Sequence, residues 1–83
     1  MLIFDQFHRV RDAERFARVA ARLSGLRSLV CRTRAEFDDY ETFPWGVSFP
    51  AVLVDRGDLP GDRAMEKHLC DIAPIFDGRF AGT

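Results

Sequence analysis

The chain has 83 residues, which is room for one domain, and a chain this short buries only about 60% of its unfolded surface, so its core must be densely apolar. With 47% hydrophobic and 30% charged residues the composition is globular and excludes wholesale disorder. No apolar run approaches the roughly 20 residues of a membrane span, and the formal net charge of −1 permits self-association.

The charge is unevenly placed. Residues 1–34 hold 8 Arg against 3 acids, and residues 35–83 hold 4 basic residues against 10 acids. Such asymmetry marks a basic face for nucleic acid, an acidic face for a partner, or two surfaces of one neutral domain. Arg outnumbers Lys 11 to 1 and Asn is absent, the residue usage of a GC-rich coding genome. Cys31 and Cys70 form no CxxC and no metal-ligand cluster; two free thiols of a reducing compartment are expected. The opening MLIF runs into Asp5 without a basic region before it, so no secretory leader and a cytoplasmic location are expected.

Residues 1–7, MLIFDQF, read as a strand. Residues 12–24 read as a helix, with Phe16, Val19, Ala20 and Leu23 as its apolar stripe. Asp12 is the expected N-cap and Gly25 the C-terminal glycine. Residues 27–33 read as a second strand, and strand, helix and strand in this spacing predict a β-α-β unit with parallel strands. Residues 34–48 read as a short helical element followed by an irregular or edge segment punctuated by Pro44 and Gly46. PAVLVD, residues 50–55, reads as a strand and RGDLPG as a turn. Residues 62–73 read as a second helix with Met65, His68, Leu69 and Ile72 facing the core, ended by Pro74. A tail or short last strand near Phe80 closes the chain. The expected fold is a single-domain two-layer α/β sandwich, β-α-β-(short element)-β-α, with helices on one face of a small mixed sheet. A ferredoxin-like arrangement and a truncated thioredoxin-like one both fit, although the long connection over residues 34–49 counts against the simple hairpin of the former.

Pro50 directly before an apolar strand resembles thioredoxin-like proteins, in which that proline is cis and faces redox cysteines. The resemblance covers the first strand, first helix, second strand and the Pro50 strand. Such chemistry needs a low-pKa thiolate at the start of the first helix, where this chain has HRVRDAE; the resemblance implies at most a degenerate relative without redox activity. A second resemblance covers Leu2 to Arg56 most clearly. LIFDQF, a helix of the RDAERFA kind and an aromatic-proline segment running into PAVLVDR look like small uncharacterised proteins of actinobacteria and their phages. It implies a class alone, a small phage or host accessory protein acting by binding in the host cytoplasm.

Two surface features bear on binding. Arg11, Arg15, Arg18 and Arg22 share the polar face of the first helix; this is a solvated face, a phosphate-binding face or a partner for an acidic surface. The segment EFDDYETFPWGVSF, residues 36–49, carries Asp38, Asp39, Glu41, Tyr40, Phe43 and Trp45. Its rings either cap the sheet or await a protein partner. Phe37 and Phe49 are assigned to the core, and Tyr40 and Trp45 to the surface. The acids of this segment and the arginine helix suit each other across the axis of a dimer. Arg56–Asp58 spells RGD, explained by a turn at Gly57. His68 is expected buried and hydrogen-bonded. No catalytic spacing, P-loop or cofactor-binding glycine cradle is present. The leading expectation is a non-enzymatic protein-binding module, with nucleic-acid binding through the arginine face as the alternative.

Overall fold

In the computed structural model the elements run β1 (Leu2–Asp5), α1 (Val10–Ser24), β2 (Arg27–Cys31), a single turn α2 (Arg34–Phe37), β3 (Ala51–Asp55), α3 (Arg63–Ile72), a 3-10 turn (Ala73–Phe76) and β4 (Arg79–Gly82). The structure describes residues 1–37, with Phe37 by its backbone alone, and residues 46–82.

The sheet has four strands in the order β2-β3-β1-β4, and every neighbouring pair is antiparallel. The two-layer α/β architecture is as predicted, but the mixed sheet is corrected. β1 and β2 run in the same direction without touching, because β3 lies between them. The reason is burial. β1 and β3 are the most apolar strands and take the centre, where both edges are paired and both faces covered. β2, with Arg27 and Ser28, is half-exposed and takes an edge. This split β-α-β order is the ferredoxin-like arrangement, and it replaces the thioredoxin-like alternative. The long connection that counted against it joins the antiparallel neighbours β2 and β3.

Strand register sorts the core into two faces. Leu2 stands opposite Val54 and Phe4 opposite Val52, and these four point to the helices with Phe7, Phe16, Leu69 and Ala73. Phe16 is the hub: its ring lies 4.8 Å from that of Phe4, 5.5 Å from Phe7 and 6.0 Å from Phe76. The buried stripe of α1 is Ala13, Phe16, Ala17 and Ala20, rotated from the predicted one, and Leu23 is 40% exposed. Three alanines let the helix sit close to the sheet while one large ring fills the gap. The helix starts at Val10, with Arg9 as N-cap in place of the predicted Asp12. Asp12 lies in the first turn, where its carboxylate still favours the positive end of the helix. Gly25 closes the helix at φ 70°, as expected of a left-handed cap. In α3, Asp62 accepts from the Met65 amide at 3.1 Å, a capping bond, and Leu69 is buried. His68 is exposed, not buried as predicted, since the helix turns Met65, Leu69, Cys70 and Ile72 inward. β4 forms at Phe80 and pairs with β1.

Ile3, Ala51, Leu53 and Cys31 form the opposite face with Val47, and Phe49 and Leu29 pack against them. The segment 46–50 is tied down by polar contacts. The Ser48 amide donates to Asp5 Oδ2 at 2.9 Å and the Gln6 amide donates to Ser48 Oγ at 3.1 Å. Gln6 adopts φ 64°, and the Phe49–Pro50 peptide is cis. Asp5 is 3% exposed, and its buried Oδ1 has no hydrogen-bond partner among the described residues. Among the described residues no helix is long and apolar enough to cross a membrane.

Candidate interaction surface

The arginines predicted as a binding face are exposed on α1, but they do not act as one group. Arg15, Arg18 and Arg22 line a depression of about 340 Å³ together with Val19 and Phe76; Arg11, a turn earlier, stands outside it. Among the described residues none of the four is in an ion pair. Glu14 precedes Arg18 by one helical turn, yet the two do not pair. Phe76 comes from the 3-10 turn, whose neighbour Ile75 is 76% exposed. This flank therefore offers three unneutralised guanidinium groups over an apolar floor. Guanidinium forks bind carboxylates or phosphates two bonds at a time, and the floor accepts an apolar side chain beside them.

Phe76 and Ile75 were missed in the sequence because the stretch after Pro74 reads as a tail. Their signal is the pair of large apolar residues directly following the proline, in a turn too short to show periodicity. Asp38, Asp39, Tyr40, Glu41, Phe43 and Trp45, proposed as partner-binding, lie outside the described residues. Phe49 is half-buried against the second face, in keeping with its assignment to the core.

The thiols stand apart from this surface. Burial, followed by the nearby Glu36 carboxylate, pushes the Cys31 thiol above its ordinary pKa. Burial also raises Cys70, with Asp71 and Glu66 adding to the shift and Lys67 opposing it. An attacking thiolate needs a shift in the other direction. A second cavity, of about 260 Å³, opens between the end of α1 and the start of α3, with Leu2, Leu26, Leu59 and Met65 on its walls and Arg56 and Glu66 at its rim. Those two form an ion pair at 2.6 Å, and the Asp62 carboxylate that also lines the cavity caps α3. The same pair engages the arginine of the RGD tripeptide, while the Gly57 amide donates to Asp55 Oδ1 at 2.9 Å in an ordinary turn. Among the described residues no three His, Cys, Asp or Glu side chains gather as a metal site.

Compared with family models, curated proteins and solved structures, the chain has no significant match in any of the three.

Proposed function

We propose that the chain is a non-enzymatic protein-binding module, and that the α1 flank of Arg15, Arg18, Arg22, Val19 and Phe76 receives an acidic, partly apolar segment of a partner protein. The observation that carries this reading is the set of unpaired guanidinium groups around an apolar floor. Phosphates alone gain nothing from Val19 and Phe76. Bases would need an open ring to stack on, and the Phe76 ring is half-buried and turned toward Phe16. An acidic segment with an apolar residue uses both parts. On the resemblance to small proteins of actinobacteria and their phages, the module is a phage accessory protein whose partner is a host protein of the cytoplasm.

The test is fluorescence anisotropy at low and high salt with three probes: a peptide alternating Glu with Leu and Phe, oligoglutamate, and a single-stranded oligonucleotide. The amphipathic acidic peptide is expected to bind best. Arg15→Glu and Arg22→Glu are expected to abolish that binding, and Phe76→Ala to reduce its preference over oligoglutamate. Tightest binding to the oligonucleotide, falling steeply with salt, would replace this reading with the nucleic-acid alternative. Equal binding of both peptides would reject the role of the floor.

A further inference from the structure

We infer that β2 is the contact edge of a two-fold homodimer, in which β2 pairs antiparallel with β2 of a second copy and the two α1 helices pack side by side, Glu14 of each offered to Arg18 of the other. This inference shares Arg18 with the acidic-partner reading, whose other residues, Arg15, Val19, Arg22 and Phe76, lie on the opposite flank of α1.

The sheet has two edges, and they differ. β4 is four residues long, its register slips beside Ile3 and Phe4, and Gly82 sits at φ 137°. Such irregularity spoils an edge as a template for another strand. β2 keeps unbroken register with β3 from Arg27 opposite Asp55 to Cys31 opposite Ala51. It holds no proline and no bulge, and its only charge, Arg27, stands at its end. Leu29 and Val30 on it remain half-exposed. Among the described residues, none of the devices that block edge pairing protects its middle.

Beside this edge lies a groove of about 280 Å³ lined by Ala17, Ala21, Glu14 and Arg18 of α1 and by Ser28 and Val30 of β2. The Ser28 hydroxyl is buried beneath it and, among the described residues, has no hydrogen-bond partner. The helix spacing agrees. α1 packs over β2 and β3, and paired strands lie about 4.8 Å apart. Two copies joined at β2 therefore set their α1 axes roughly 10 Å apart, which is the packing distance of helices. Ala17 and Ala21 are small enough for that approach. The charges agree as well. A two-fold axis reverses one helix against the other, so the acid and the base on this flank, both without an ion pair among the described residues of one copy, meet their opposites in the next.

Sedimentation velocity on the full chain across a concentration series tests this. The wild-type chain is expected to dimerise. Glu14→Arg and Arg18→Glu, each alone, are expected to weaken the dimer at least about tenfold, since like charges then face each other. An equimolar mixture of the two single variants, and the double variant Glu14→Arg with Arg18→Glu, are expected to recover it. Arg15→Glu, on the other flank, is expected to leave the dimer intact while removing the acidic peptide. Melting curves of the variants confirm that each copy is folded. A wild-type monomer at every concentration overturns the inference. A dimer indifferent to both single reversals also overturns it.

Discussion

The two faces of the sheet are buried by different means. The helix face is closed by regular elements and by rings gathered around Phe16, with Phe4 meeting it edge to face. The other face is aliphatic and smaller, built on Ile3, Ala51, Leu53 and Cys31. Among the described residues, Val47 and Phe49 of the segment 46–50 pack on it, and that segment is fastened by Ser48 to a buried carboxylate, Asp5. The helix face is thus held by regular elements, with the Arg56–Glu66 ion pair joining the loop after β3 to α3, and the other face by an irregular segment with a polar latch. Because both faces are covered, β1 and β3 are apolar on both sides, a pattern more usual in parallel sheets.

The largest effect expected from breaking this arrangement falls on the helix face. Phe16→Ala removes the ring shared by three others and is expected to cost about 3–5 kcal/mol, against about 2–3 for Leu53→Ala on the other face, both within the range for large-to-small core changes. Denaturant midpoints at constant slope compare the two. A larger loss at Leu53 would mean that the segment-covered face is the true centre of stability.

Asp5→Ala tests the latch. It leaves the part-buried Ser48 amide without its acceptor and is expected to cost about 1–2 kcal/mol. Hydrogen exchange should show the loss at Gln6 and Ser48 first, with the amides of α1 and α3 protected as before. Uniform loss across the chain would mean that Asp5 supports the whole fold and not one segment.

The smallest effect is carried by the thiols, one packed on each face. Both are raised by burial, so alkylation at neutral pH should be slow for each. Asp5→Ala should quicken alkylation of Cys31 and leave Cys70 unchanged. A raised thiol pKa also stabilises in one pH window. Its contribution is intact below the unfolded value of about 8.5. It is lost as pH climbs through the higher folded values, because the unfolded chain releases these protons first. Urea midpoints measured from neutral to alkaline pH should fall accordingly.

Helix and strand identity was legible wherever a local rule applied. The unbroken apolar run of PAVLVD after its proline and the capping glycine after α1 each state their element within a few residues. The arginine flank was only half legible. Its arginines repeat at helical spacing, but the floor they surround comes from Phe76, more than fifty residues along the chain. His68 was misplaced because periodicity cannot tell the edge of an apolar stripe from its centre.

Local chemistry by itself determined which residues form the helices and strands, where the helices stop, and that two strands are apolar throughout. Tertiary structure decided that β3 lies between β1 and β2, since pairing order depends on which strands gain most from having both edges covered. It also decided that Asp5 serves as a latch and that β2 is the regular edge. Those are properties of neighbours brought together from distant parts of the chain, and no window along the sequence contains them.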